Sequence, residues 1–194
     1  MWREAIQQIL IPEAELQRRI RSLGRAITAD YAGKELVFVS VLRGAIMFSA
    51  DLARAVDLPL TIDCITLSSY GDRHVSSGRV HVLKDLADSV ADKHVLIVED
   101  IVDTGITLQH LWQHLMAHRP ADLHVCTLLD KRVRRQVELP IRYVGFEVPD
   151  AFVVGYGLDY RQRYRNLPFI ASLRPEVFAE DSRQLSGCPA REHG

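Results

Sequence analysis

Cysteine is scarce in this chain of 194 residues: Cys64, Cys126 and Cys188 make an odd count with no C-x-x-C pair. That argues against a disulfide framework and against a cysteine-based zinc site, and it fits a reducing, cytoplasmic compartment. Net charge is almost absent as well, with 24 basic residues against 25 acidic ones and a formal balance of −1. No global field then draws the protein to nucleic acid or to an anionic membrane, so phosphate binding, where it occurs, has to be local. No stretch approaches the ~20 apolar residues of a membrane span. The N-terminus sets Arg3, Glu4 and two glutamines around Ile6, Ile9 and Leu10, too polar and too short in its apolar run for a signal peptide. Internal repeats, low-complexity segments and an interdomain linker are also missing.

What the chain has is an ordinary globular balance, 47% hydrophobic and 25% charged residues. One folded domain over residues 1–179 is expected, with residues 180–194 as a flexible tail poor in large apolar side chains. After Pro12, which suits a first helical turn, apolar residues recur at Leu16, Ile20, Leu23, Ile27 and Tyr31 with helical spacing. Residues 35–42 (ELVFVSVL) form a short β-branched apolar run, as in a strand buried on both faces. A helix is predicted over 44–56, with Ile46, Phe48, Leu52 and Val56 inward. Strands are predicted at 60–67, 80–83, 94–98, 123–129, 141–146 and 152–156, and a further helix at 106–116. The serine- and glycine-rich stretch 68–78 reads as a long loop of the kind that often serves as a lid. Strands alternating with helices give an α/β fold, a mainly parallel twisted sheet flanked by helices.

The stretch 94–108, HVLIVEDIVDTGITL, carries the most chemistry. A buried strand emerges at two carboxylates and runs through Asp-Thr-Gly into a helix, and the ends of strands before helices are where open α/β sheets bind ligands. Asp103, Thr104, Gly105, Ile106 and Thr107 would present amides and hydroxyls at a helix N-terminus, a phosphate cradle. Glu99 and Asp100 at its edge offer four carboxylate oxygens to vicinal sugar hydroxyls or, through water, to a metal. Taken singly, Thr104 is equally explained as a helix cap and the acids as partners of the helix dipole. A sugar phosphate accounts for all of them together.

VLIVEDIVDTG resembles the phosphoribosyl pyrophosphate signature of type I phosphoribosyltransferases. VSVLRGAIMFSADL, LSSYGDRHVSSG, LLDKR and PDAFVVGYGLDYRQRYRNLPFIASL are similar, in matching order, to the hypoxanthine-guanine branch of that family. The resemblance runs over roughly residues 35–173. It implies the type I phosphoribosyltransferase fold, with a small hood over the carboxyl end of the sheet built from the N-terminal helix and segment and about residues 160–175. The activity implied is transfer of a 5-phosphoribosyl group from phosphoribosyl pyrophosphate to a 6-oxopurine, with Mg2+ as cofactor and a homodimer or homotetramer as the assembly.

By the same resemblance Glu99 and Asp100 hold the ribose hydroxyls, residues 103–107 hold the 5-phosphate, and Asp103 is the general base near N7 of the purine. Asp159, with Glu99 and Asp100, is implied as the magnesium site. Leu42, Arg43 and Gly44 match a pyrophosphate loop that contains a non-proline cis peptide, and Arg165 matches an arginine that reaches pyrophosphate. Phe152 matches the ring that stacks on the base, Val153 offers backbone groups to its edge, and Lys131 donates to the 6-oxygen. A lysine donor favours hypoxanthine or guanine over adenine, whose 6-amino group is itself a donor. Ser69 and Tyr70 match the lid. Ala151 departs from the charged residue often present in relatives, which weighs against guanine and makes hypoxanthine the first choice. Xanthine or guanine preference, and a regulatory sensor that keeps the fold and binds nucleic acid, are the alternatives.

Two further signals are weaker. His110, His114 and His118 fall at i, i+4 and i+8, a spacing that can hold zinc or nickel, but no nearby acid or cysteine in the sequence completes the set. The basic run Lys131, Arg132, Arg134 and Arg135 reads as a solvated turn with one working lysine, not as a nucleic-acid patch.

Overall fold

The computed structural model describes residues 2–69 and 80–177. In chain order the elements are α1 (Trp2–Ala5), β1 (Ile6–Ile11), α2 (Glu13–Asp30), β2 (Leu36–Leu42), α3 (Ile46–Ala55), β3 (Leu60–Ser69), β4 (Val80–Lys84), β5 (His94–Val102), α4 (Ile106–Ala117), β6 (Asp122–Asp130), a 3-10 turn (Arg132–Arg134), β7 (Ile141–Glu147), β8 (Val153–Val154) and β9 (Ile170–Leu173).

Six strands form the main sheet in the order β4-β3-β2-β5-β6-β7. All its pairs are parallel except β3 with the edge strand β4. Parallel strands need crossovers, and these cover both faces with helices, which is why β2 is buried along nearly its whole length. The period of two decides which side chain goes to which face. On β5, Leu96 and Val98 pack with α2 and α3 residues such as Leu16, Ile20, Phe48 and Leu52, whereas Val95 and Ile97 pack with Leu108, Leu111 and Leu115 of α4. The helical spacing from Leu16 to Tyr31 places all five of those residues in the core.

Chain order and spatial order reverse between β2 and β5: the chain moves outward from β2 to β3 and then returns to lay β5 on the other side. At such a switch point the loops leaving the two strands diverge and open a crevice at the carboxyl ends. The loops concerned begin at Leu42 and at Val102.

Several details differ from the sequence expectations. Ile46 is 48% exposed, because α3 starts there and its inward face begins at Phe48. Pro12 stands just before α2 as its extended N-cap residue. A second, three-stranded antiparallel sheet of order β1-β9-β8 joins the N-terminal segment to residues 153–154 and 170–173. The segment that meets this sheet from the N-terminus is the strand β1, while α2 packs on α3 and sends Arg19 to the carbonyls of Val144 and Gly145 at β7. The predicted strand over 152–156 shrinks to two residues, since Gly155 and Gly157 take positive φ and turn the chain back. Ser69 is the last residue of β3 and pairs with Val80; Tyr70 and the tail over 180–194 lie outside the described residues.

Candidate active site

The crevice at the switch point is a cavity of about 290 Å³. Leu42 at the end of β2 and Gly44 in the turn after it line one side, and Glu99, Asp100, Asp103, Thr104, Gly105 and Thr107 line it from β5 and the following turn. The expected strand 94–98 runs on to Val102, so Glu99 and Asp100 sit on ordered strand backbone and not on a loose loop. The amide of Asp100 donates to Glu99 Oε1 at 3.2 Å, and that of Ile101 to Asp100 Oδ1 at 2.9 Å. Burial raises the pKa of both carboxyls, and the adjacent Asp100 charge raises Glu99 further. Two acids held this way form a concentration of negative charge that hydroxyl donors or a cation would relieve.

The turn after β5 is fixed from both ends. Gly105 has φ +85°, a left-handed conformation that starts α4, and a Cβ there would lie 2.9 Å from Val137 Cγ2. The Ile106 amide approaches Thr104 Oγ1 at 3.4 Å, the Gln136 amide donates to the Thr104 carbonyl at 2.9 Å, and the Lys131 amide donates to the Val102 carbonyl at 2.9 Å. The turn is thus an α4 N-terminus aimed at the cavity, the arrangement that favours an anion. Opposite it the Leu42-Arg43 peptide is cis and Arg43 is exposed. Gly44 leaves no room for a side chain: a Cβ on it would lie 1.8 Å from Asp100 Oδ2.

A second cavity, of about 400 Å³, opens between the carboxyl end of β6 and the small sheet, lined by Lys131, Arg134, Asp150, Phe152 and, from the small sheet, Ser172 and Leu173. Lys131 is only 7% exposed, unlike the exposed Arg132 and Arg134 of the same turn, and its Nζ lies 3.8 Å from Asp150. Phe152 is 41% exposed and meets Tyr160 edge-on at 5.5 Å between ring centroids. Val153 follows it into β8 and is buried opposite Ser172. Arg134 joins the two cavities. Its Nε lies 2.9 Å from Asp103 Oδ1 without hydrogen-bond geometry, and its NH1 donates to Asp150 at 3.2 Å. The sequence left Arg134 inside a basic turn; nothing local signals a partner 31 positions earlier in the chain. The other arginines of that run are also paired, Arg132 with Glu147 and Arg135 with Asp130.

Asp159 and Arg165 form a third group. Arg165 donates to the Gly157 carbonyl at 2.6 Å and pairs with Asp159 at 2.6 Å, and the Gln162 amide donates to the other Asp159 oxygen at 2.7 Å. The charge of Arg165 also lowers Asp100 against the effect of burial. Among the described residues, Asp159 and the Glu99–Asp100 pair do not converge tightly enough to share one ion directly. Their carboxylate oxygens are the donor type that a hydrated Mg2+ takes, an ion that keeps several of its own waters.

Residues 7–161 match the model of the phosphoribosyl transferase domain. The chain is 49% identical over 168 residues to a hypoxanthine phosphoribosyltransferase of Salmonella typhimurium, covering 86% of this chain and 94% of that one. It is 45% identical over 174 residues to a hypoxanthine-guanine phosphoribosyltransferase of Staphylococcus aureus, covering 90% and 97%. It also matches the bifunctional TilS/HprT proteins of Listeria at 49% identity over 175 residues, and there it spans 27% of their length. Among solved structures, a hypoxanthine phosphoribosyltransferase from Staphylococcus aureus superposes with a TM-score of 0.88 at 44% identity over 91% of this chain and 96% of the other. One from Trypanosoma cruzi superposes with 0.87 at 44% identity over 93% and 97%. With this fold, this switch-point cavity and these relatives, the chain belongs to the phosphoribosyltransferase family, in its hypoxanthine-guanine branch.

Proposed function

We propose that this chain is a purine salvage enzyme that transfers the 5-phosphoribosyl group of phosphoribosyl pyrophosphate to hypoxanthine, giving IMP and pyrophosphate. The observation that carries the reading is the pairing of two cavities: an anion-binding turn beside two half-buried acids, joined through Arg134 to a pocket that holds a buried lysine. A sugar phosphate fits the first and a flat ring with a carbonyl fits the second.

In this reading the 5-phosphate lies on the amides of residues 103–107 and the ribose hydroxyls donate to Glu99 and Asp100. The pyrophosphate lies along Leu42, Arg43 and Gly44, within reach of Arg165. The base stacks on Phe152, its edge meets the Val153 backbone, and its 6-oxygen accepts from Lys131. The bond from C1′ to the pyrophosphate oxygen breaks, the bond from C1′ to the purine nitrogen forms, and the ring proton passes toward Asp103 near N7 as general base. The Arg134 contact keeps Asp103 turned toward the base pocket before the ring arrives. Mg2+, held through water by Asp159, Glu99 and Asp100, would supply charge neutralisation of the leaving pyrophosphate. Positive charge gathering at C1′ is stabilised by the same two acids that hold the ribose. Ser69 and Tyr70 belong to the segment that would close over the reacting atoms and exclude water.

Lys131 selects for a 6-oxo group and against the 6-amino group of adenine. Ala151 offers no charged or polar group for a 2-amino group, which puts hypoxanthine ahead of guanine. Nucleic acid and membrane are not partners in this reading. Among the described residues no helix is long and apolar enough to cross a membrane. A cytoplasmic homodimer or homotetramer completes the proposal; the Trypanosoma cruzi relative is one whose C-terminal region has a role in oligomeric state and activity.

The test is ultraviolet-monitored nucleotide formation from phosphoribosyl pyrophosphate, offering hypoxanthine, guanine, xanthine and adenine separately, with and without Mg2+. Magnesium-dependent product with hypoxanthine and little with adenine is expected. No product with any base, together with retained phosphoribosyl pyrophosphate binding, would overturn the reading in favour of a sensor.

A further inference from the structure

Outside the catalytic cavities, the fold completes a cluster that the sequence leaves unfinished. His114 and His118 lie one turn apart in and just beyond the last turns of α4, with ring centroids 5.1 Å apart. The acid missing from their sequence neighbourhood arrives from 29 positions earlier: Asp85, the residue after β4, puts its two carboxylate oxygens 3.0 and 2.9 Å from His114 Nε2. One ligand atom from each of Asp85, His114 and His118 lies within 4.8 Å of the other two. Ligand atoms bound to one tetrahedral ion at about 2.0–2.2 Å stand roughly 3.3 Å apart, so small side-chain rotations close this set around an ion.

We propose that Asp85, His114 and His118 form a binding site for one zinc-class divalent ion per chain, separate from the magnesium-phosphate site of the proposed reaction. Two imidazoles and one carboxylate select zinc, nickel or copper over magnesium and calcium, which prefer all-oxygen shells. On binding, the ion replaces the hydrogen-bond proton between His114 Nε2 and Asp85, and the neutral ring carries its proton on Nδ1. Three protein ligands leave a fourth position for water. The site lies toward the far end of α4 from the phosphate turn, about 13 Å along the helix axis from Gly105 to His114. Its ion would cross-link α4 to the exit of the edge strand β4 without touching the catalytic acids. His110, the third histidine of the helical series, is not part of the set.

The experiment titrates the full-length protein with Zn2+ against a chromophoric chelator in excess Mg2+, which keeps the acids of the catalytic cavity occupied. Co2+ is used in parallel as a spectroscopic probe. One equivalent is expected, with low-symmetry Co2+ absorption. His118→Gln and Asp85→Asn should each weaken binding by about tenfold or more, while His110→Gln leaves it unchanged. His118 is exposed, so its variant should fold and keep its metal-free melting temperature. Loaded wild-type protein, with zinc at a hundredfold over Kd, should melt about 5–10 °C higher than the metal-free form. No tight equivalent in the wild type, or His118→Gln titrating like the wild type, would overturn the proposal. So would an equal loss in His110→Gln, which would place the ion on the helical series instead. None of these readouts depends on phosphoribosyl transfer.

Discussion

Gly44→Ala tests the catalytic reading at a position that never contacts the base. Gly44 is not in the left-handed region, so alanine is acceptable to the backbone; the conflict is with Asp100, whose Oδ2 and Cγ lie 1.8 and 2.5 Å from the position of a Cβ. Ordinary contact begins near 3.4 Å. The carboxylate must therefore retreat by more than 1 Å, and because it is the end of a flexible side chain it can do so by rotation. The fold should survive, with a stability change of about 1 kcal/mol or less. Asp100 would lose its alignment with the ribose hydroxyls, and a displacement of ~1 Å in a positioning group costs about a hundredfold in rate. In terms of kcat/KM that is about 2.7 kcal/mol of transition-state stabilisation. The assay is steady-state IMP formation at varied phosphoribosyl pyrophosphate and fixed saturating hypoxanthine, with thermal melting as the folding control. A folded Gly44→Ala protein with wild-type kcat/KM would refute both the placement of Asp100 against the ribose and the requirement for a glycine after Arg43.

Asp103→Asn should lower kcat by about 10² to 10⁴ while leaving the melting temperature within a degree or two, since the Arg134 pair it removes is half exposed; wild-type turnover would remove Asp103 as the base. Lys131→Ala should raise the KM for hypoxanthine by roughly 10- to 100-fold, the cost of a lost hydrogen bond to a charged donor, and narrow the margin against adenine, with phosphoribosyl pyrophosphate binding unchanged by calorimetry. Asp63 supplies a pH dependence of stability. Burial pushes its carboxyl up, but the amides of Cys64 and Ala87, each at 2.7 Å, and the nearby Lys84 outweigh that and lower the folded-state pKa. A depressed carboxyl contributes stability above its unfolded value of ~3.9 and loses it as pH falls through the lower folded value. Asp63→Asn should therefore cost about 1 kcal/mol at pH 7 and show a flatter acid limb than the wild type in denaturant titrations from pH 5 downward; parallel limbs would contradict the assignment.

Much of the main sheet is legible from residues alone because its signals are local. A fully buried strand such as β2 needs apolar side chains on both faces, and α2 advertises its inward face at every turn from Leu16 to Tyr31. The small sheet is harder to see. In β1, Ile6 and Ile11 are buried while Gln7, Gln8 and Ile9 are exposed, a pattern broken by register shifts against β9 that obscures the alternation of a strand. Its partner β9 lies more than 150 positions away, so neither strand has a local reason to exist, and both depend on a pairing that only the closed fold supplies.

The same distinction between local and distant signals divides the candidate site. Glu99, Asp100 and the turn through Gly105 share one strand-to-helix connection, and their joint chemistry can be read from a dozen consecutive letters. Whether a lysine is buried, or an arginine already committed, depends on chain segments that arrive from elsewhere. Lys131 reads as the working lysine of a solvated turn, but its burial appears only when β6 and the small sheet close over it, and the commitment of Arg134 only when Asp103 and Asp150 come within reach. Arg165 and Asp159 have opposite roles in the resemblance, yet they pair with each other at 2.6 Å. In the proposed reaction a magnesium-pyrophosphate group would exchange that ion pair for two new ones, Asp159 to the cation and Arg165 to the phosphate oxygens. The net gain is then smaller than the sum of the new contacts, because the partners were not free to begin with. Residue type and spacing propose the roles, but the energies depend on what each group touches before the ligand arrives.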